Sequence, residues 1–521
     1  MGVFRDVSNT INPSTANLVF LLALIGFGIK AGMAPFHIWV AIAHPNLPTN
    51  VHAISVGIMI KIALYGMIRV FFQFLHPISW WWGLTVLVVA ALTAMIGVRN
   101  ALYGRTLKDS LADHSVENIG IILAGIGLAL TLKAGNIPVA NIAPSVLNSL
   151  AALALVAGLY HLLNHTVFKG LLYLCTGAID YLTNGVVELD KLGGLIHRFR
   201  WTSACFLVGS VAIAGFPPFN GFISEWLTLQ TLIASVNLLS QNVWLLGGIV
   251  LSLILLASAF ALTAFAFVKI AGEVFLGKPR DETVVEGSAK SDVPWRMRGV
   301  LIVLAILCLV LGIFPGPIII MLGMITSDLG LPLASPNAFS WWSGITISLG
   351  LHGHLYSAHL PSVFLFTLLG LVIFVFLMAV LASKSQGTRA AWTGGTQYDS
   401  STMQYTSSVF TFPVRDFLGR ALISVLFTPL IQSLLKRRFG QVPSQQSAAL
   451  ETPPIKTPFE VGEGRSVAEP FRLAYNWLIK LLQIVARSTG SFFQNGDLRS
   501  YLFYIFLFFI IVFIILIGVS K

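Results

Sequence analysis

The stretch from Gly26 to Arg69 constrains the fold most. From Phe27 it reads FGIKAGMAPFHIWVAIAHPNLPTNVHAISVGIMIKIALYGMIR. It is apolar enough for a bilayer, yet it carries Lys30, His37, His44, His52 and Lys61, and a helix-breaking Pro35 follows Lys30. Loose backbone is tolerated at membrane depth only where protein or a water-filled cavity covers it. A lysine near mid-bilayer costs ~2.5–3.5 kcal/mol on insertion scales, so two of them need a reason, and the usual reason is a proton or ion path. Later segments repeat the theme of long apolar helices with one or two ionisable residues near the middle.

Composition narrows the class. Of 521 residues, 56% are hydrophobic and 10% charged. Soluble globular chains carry about 25% charged residues, so this is an integral membrane protein. The apolar runs follow one another too closely for separate domains and predict one helical bundle. The formal charge is +11. Its Lys and Arg are scattered singly over loops, which suits an anionic lipid surface. Nucleic acid would require a patch with interleaved aromatics. Cys175, Cys205 and Cys308 each lie inside an apolar segment, and none belongs to a CxxC pair. No cofactor, metal or disulfide framework is therefore expected in this polypeptide. No Walker A, nucleotide-binding GxGxxG, nucleophile elbow or HExxH motif is present, so no catalytic residues are expected.

The patterning predicts an all-α polytopic membrane protein with about ten transmembrane helices, two of them broken. The spans are 17–44 (broken near Pro35), 49–73, 80–98, 108–132, 145–183, 202–235 (broken near Pro217-Pro218), 243–276, 299–323, 361–383 and 500–519. The 145–183 stretch is long enough for one tilted helix or two pieces. Residues 1–16 form a short polar N-terminus without a signal-peptide pattern. Residues 17–323 form the bundle and 324–360 an outer loop. An additional span at 361–383 is followed by a linker over 384–499 with amphipathic stretches near 413–438 and 468–487. The last span is 500–519. The loops 99–108, 191–200 and 278–298 are basic, whereas 236–242 and 324–360 contain no Lys or Arg. The positive-inside rule puts the basic set, and the linker, in the cytoplasm.

Several ionisable residues suit a proton path. Lys61 lies ~18 Å of helix rise beyond Thr49, too deep for easy snorkelling. Burial destabilises the charge on a lysine, which fits it to release and regain a proton. In YHLLNHTVFKGLLYL, His161, His165 and Lys169 recur at i, i+4 and i+8 on one helical face. A proton-relay file suits them, since histidine titrates near neutral pH; helix–helix hydrogen bonding is the competing reading. Asp109, Asp113 and Glu117 share a face at the same spacing. Asp109 has Lys108 beside it to pair with. Asp113, His114 and Glu117 lie deeper and suit proton entry, with an interfacial polar cluster as the alternative. Glu225 follows a helix break at Pro217, Pro218, Asn220 and Gly221, the pattern expected of an ion site. Lys269 lies toward the cytoplasmic end, where snorkelling competes. His352, His354 and His359 are expected to be solvated.

These segments resemble the antiporter-like membrane subunits of respiratory complex I and its relatives. The quoted Lys30–Lys61 stretch is similar to that family's broken helix and the helix after it. YHLLNHTVFKGLLYLCTGA and AIAGFPPFNGFISEWL are similar to two further signatures. Within the family, HSVENIGII, AFVKIAGEVFLGKPRD, VPWRMR and MQYTSSVF resemble the large membrane subunit of group 4 nickel–iron hydrogenases, of the hydrogenase-4 and formate hydrogenlyase type. The resemblance implies an antiporter-like bundle and proton translocation driven by redox chemistry in partners. Those partners are other membrane subunits and soluble hydrogenase-like large and small subunits holding nickel–iron and iron–sulfur centres. By motif, Lys30 is similar to the pumping lysine, Lys61 and His165 to connecting residues, and Glu225 to the terminal residue of the polar axis.

The family places about six helices before the Lys30 helix, one with a Glu that pairs with that lysine. The expectation is therefore either that the chain is a fragment or split-gene product, or that a second polypeptide supplies them. The expected proton path is Lys30, His52, Lys61, Asp113, Glu117, His161, His165, Lys169, Glu225 and Lys269, in a multi-pass subunit of a bacterial or archaeal cytoplasmic membrane. Rival expectations are a cation/proton antiporter subunit, a subunit of a quinone-linked complex, and a non-pumping anchor for a hydrogenase.

Overall fold

A computed structural model describes residues 12–75, 79–138, 142–280 and 292–333, the strand pair at 346–351 and 354–357, and single positions between 369 and 411. The expected span 500–519 and the amphipathic stretches at 413–438 and 468–487 lie outside the described residues, as does almost all of 361–383.

Helix α1 runs Pro13–Ala31, with Pro13 in its first turn and the Asn12 side chain accepting from the Ser14 N–H. Gly32, at φ 80°, ends it with its N–H turned back on the last carbonyls. Glycine adopts that left-handed conformation without the clash a Cβ would bring. The break expected near Pro35 follows, and the chain resumes as a short α2, Ile38–Ala43. Helix α3 spans Thr49–Phe74. It contains two π-helical stretches, Ser55–Met59 and Arg69–Phe74. Next come α4 (Trp80–Tyr103), α5 (Leu107–Lys133) and α6 (Pro144–Leu182). The stretch expected to be one helix or two is thus a single 39-residue helix. That is ~58 Å of rise against a ~30 Å hydrocarbon core, so α6 tilts or protrudes.

The expected span 202–235 is broken as predicted, into α7 (Arg200–Ile213) and α8 (Asn220–Leu238). Helix α9 is Val243–Phe275, started by Asn242, whose side chain accepts from two backbone N–H groups. The expected single helix over 299–323 is corrected. It is two helices, α10 (Trp295–Ile313) and α11 (Gly316–Asp328). Pro315 is the reason: a proline disfavours helical backbone in the residue before it, and Phe314 sits at ψ 59°. The expected loop 324–360 is corrected as well. It starts helical through Asp328 and carries an antiparallel pair, β1 (Thr346–Leu351) and β2 (His354–Ser357).

Seven helices among the described residues are long and apolar enough to cross a membrane: α1, α3, α4, α5, α6, α9 and α10. The centre is α5, buried at every position from Leu107 to Leu132 except Lys108, Asp109 and Asp113. It lies between α4 and α6; α9 packs on α4, while α7, α8, α10 and α11 pack on α6. Close approach of α4 to α5 depends on small residues. A Cβ at Gly97 would collide with the Glu117 backbone, and one at Gly120 with Ala90 and Ala94. Lipid gives helices no hydrophobic reason to associate, so such backbone-to-backbone packing supplies the dispersion contact that holds a bundle.

The basic loops share one end. Leu107 N–H donates to Val187 O and Leu189 N–H to Arg105 O, at 3.0 and 2.9 Å, and Gly194 N–H donates to Leu276 O at 2.9 Å. Gln404 exchanges two 3.1 Å hydrogen bonds with the Lys278 backbone, and Ser407 N–H donates to Asp190 at 2.8 Å. At the opposite end, Lys133 donates to Gly330 O at 2.6 Å.

Candidate functional site

The site is a file of buried polar side chains between α3, α5, α6, α8 and α9. Its middle is Lys61. The Lys61 ammonium donates to the Val56 carbonyl at 2.5 Å and lies 2.6 Å from His165 Nδ1. Val56 belongs to the π-helical stretch that precedes Lys61, so the widened turn presents a carbonyl to the side chain five residues on. Lys61 is 7% exposed and His165 is fully buried.

His161 lies one turn before His165. Its Nδ1 is 2.9 Å from Ser224 Oγ on α8 and its Nε2 is 3.0 Å from Asn118 Oδ1 on α5. Asn118 Nδ2 donates to His114 O at 2.7 Å. His114 Nδ1 sits 2.5 Å from Glu117 Oε2, and the Thr263 hydroxyl of α9 donates to Glu117 Oε1. Lys169 donates to the Leu111 carbonyl at 2.5 Å and stands 5.4 Å from the Tyr173 ring centroid. Tyr173 OH is 3.1 Å from Ser115 Oγ. Asn164 and Asn220 hold the start of α8 against α6: Asn164 Nδ2 donates to Asn220 O at 2.9 Å, and Asn164 Oδ1 accepts from Asn220 Nδ2 at 3.2 Å.

His161, His165 and Lys169 are all buried on α6. The three do not hydrogen-bond each other, because four residues of helix are ~6 Å of rise, too far for a direct bond. Instead His161 is joined to α5 and α8, His165 to α3 and Lys169 to α5, and Phe168 stands edge-on to both imidazoles, 6.2 and 5.6 Å away. Glu117 is 1% exposed and in the network. Asp113 is half-buried on the same helix.

Glu225 is buried against the helix break. A Cβ at Gly215, whose φ is 66°, would collide with its carboxyl, so the break is shaped to admit that group. Its neighbour Ser224, not Glu225 itself, makes the bond to His161. His52 is fully buried, its ring 3.8 Å from that of Tyr173 and 4.7 Å from that of His44. Lys269 is 1% exposed and donates to Leu102 O at 2.8 Å. Its side chain is turned onto the end of α4. Lys30 stands apart. It is exposed on α1 and makes no hydrogen bond or ion pair among the described residues.

Sequence reasoning missed Asn118, Asn164, Ser224 and Thr263, which connect the charged groups. Asn118 follows His114 by four residues and Asn164 follows His161 by three, so helical spacing alone pointed to them. Nothing local marked Thr263, one hydroxyl on an apolar helix. Among the described residues no group of three or more His, Cys, Asp or Glu stands together as metal ligands do. The three cysteines are free and buried.

Ionisable groups threaded through a helical bundle with two broken helices define an antiporter-like polytopic membrane subunit. Residues 2–137 and 144–260 match the family described as NADH:quinone oxidoreductase/Mrp antiporter, TM. It is 38% identical over 312 residues to hydrogenase-4 component B of Escherichia coli K12, covering 60% of this chain and 44% of that protein. It is 33% identical over 402 residues to formate hydrogenlyase subunit 3 of the same organism, covering 76% and 59% respectively. The chain thus spans about half the length of the relatives it matches. Its fold is similar to a chain of the membrane-bound sulfane sulfur reductase, an archaeal respiratory membrane complex, with a TM-score of 0.59 and 22% identity. That likeness covers 98% of this chain and 70% of the other.

Proposed function

We propose that the chain is a proton-translocating membrane subunit of a hydrogenase-4 or formate-hydrogenlyase-like redox complex in a bacterial or archaeal cytoplasmic membrane. The observation that carries this reading is the buried Lys61–His165 contact at 2.6 Å, one helical turn from a buried network that runs from His161 through Asn118 to His114, Glu117 and Thr263. Side chains that both accept and donate protons follow one another across several helices, where apolar residues would hold a bundle at less cost. Lys61, His165 and His161 hold and pass protons. Asn118 and Ser224 orient the His161 ring, and Glu117 holds a counter-charge against His114. Glu225, set beside the break, is the terminal proton site. Likeness to hydrogenase-4 component B and formate hydrogenlyase subunit 3 supports the complex type. Partner membrane subunits and soluble hydrogenase-like subunits, with their nickel–iron and iron–sulfur centres, supply the driving reaction.

The test is proton flux in proteoliposomes bearing the purified complex. Lys61→Ala and Glu225→Ala are each expected to abolish flux while the complex remains assembled. Undiminished flux in both overturns the reading. Flux that requires sodium replaces it with a cation/proton antiporter, the other function in the family's description.

A further inference from the structure

Glu273 lies two residues before the end of α9, at the end of the bundle where the basic loops meet. It is 2% exposed, and neither carboxyl oxygen has a hydrogen-bond partner. The charged groups within electrostatic range of it are Lys269, Asp190 and Arg280. Lys269, one turn back on the same helix, donates to Leu102 O at 2.8 Å and Gly104 O at 3.4 Å. Gly104 leads on to Ser110. A Cβ at Gly104 would collide with Ser110 Oγ, so a glycine is what lets the two approach. Ser110 is fully buried and its hydroxyl is also unpartnered.

Ser110, His114 and Glu117 follow at i, i+4 and i+7 on α5, one face of a helix. His114 has Nδ1 on Glu117 and leaves Nε2 unpartnered. Lys269 is near enough to act electrostatically on His114. Three buried groups with an unpartnered polar atom therefore lie in succession, with an ammonium among them. Buried polar atoms are paired in nearly all proteins, so each exception calls for a role.

We propose that Glu273 is a proton-exchange site at the basic-loop end of the bundle, serving a branch through Lys269, Ser110 and His114 to Glu117. This branch enters from Glu273 and Lys269 on α9, whereas His52 lies on α3 and Lys169 and Tyr173 on α6, and it rests on the proton-translocation reading. In the step itself the Lys269 ammonium passes a proton to His114 by way of the Ser110 hydroxyl, which accepts one proton and gives up another, and an amine is left. The Glu273 carboxyl O–H then gives its proton to that amine, which leaves a carboxylate and restores the ammonium. Glu273 is then reloaded from water at the loop end.

The test uses the purified complex in proteoliposomes, with an imposed potassium diffusion potential and an internal pH dye, so no electron donor is needed. Glu273→Gln is expected to cut proton flux at least about tenfold, and Glu273→Asp to restore most of it. Ser110→Ala, which removes only an unpartnered hydroxyl, is expected to lower flux with assembly intact, and it carries the test if Glu273→Gln fails to assemble. Lys61→Ala separates the two readings. If it stops flux while Glu273→Gln and Ser110→Ala conduct like the parent, the branch is overturned and the main axis stands. If Lys61→Ala and Glu225→Ala both conduct like the parent, the translocation reading fails and the branch falls with it.

Discussion

Lys30 and Lys61 sit in one apolar stretch, on consecutive long helices, yet their surroundings are opposite. Lys61 is held between a backbone carbonyl and an imidazole, in a core formed by α3, α5 and α6. Lys30 is exposed on α1, a helix whose Leu18, Leu22, Ile25 and Ile29 are also exposed. An intramembrane lysine becomes part of a proton path only when other helices bring it a partner. That is a tertiary property.

The sharpest way to break the contrast is at Lys61. Lys61→Ala is expected to reduce proton flux by at least about a hundredfold, since a positioned acid–base group is lost; a milder loss would make Lys61 a structural group. Packing comes next. Gly97→Ala drives a methyl into the α5 backbone and is expected to cost about 1–3 kcal/mol, seen as a lower melting temperature of the solubilised complex. Gly26→Ala on α1, where nothing lies within 4 Å, is expected to leave melting unchanged or raise it. If the two variants behave alike, α1 is as tightly packed as α4.

Tyr160→Phe removes the hydroxyl that donates to Leu311 O and ties α6 to α10. A loss of about 1 kcal/mol, measured by the same melting assay, is expected. The smallest effect belongs to Lys30→Ala, which removes no hydrogen bond or ion pair among the described residues and is expected to leave melting unaltered. Reduced flux with unaltered melting in that variant would show that Lys30 meets a group on another polypeptide.

Much of this architecture was legible in the sequence. Breaks at Pro35 and at Pro217-Pro218, the burial of His161, His165 and Lys169, and the common end of the basic loops all follow from local rules. Proline removes a donor and bends the chain, helical spacing decides which residues share a face, and cationic loops favour one side of a membrane. The break at Pro315 was open to the same reasoning but was masked by the strongly apolar run on either side.

The sequence by itself determined that this chain is a membrane bundle, where its helices break, and which ionisable residues lie inside it, because hydropathy and proline act within a few residues of themselves. Only the tertiary structure decided who meets whom. His165 takes Lys61, His161 takes Asn118 and Ser224, and Glu117 takes His114 and Thr263, while Lys30 takes no hydrogen-bond or ion-pair partner among the described residues. Those choices turn on how closely α4, α5 and α6 approach and on how each helix is rotated about its axis. Hydrogen bonds reach only ~3 Å, and the spacing of residues along one helix does not report the position of another.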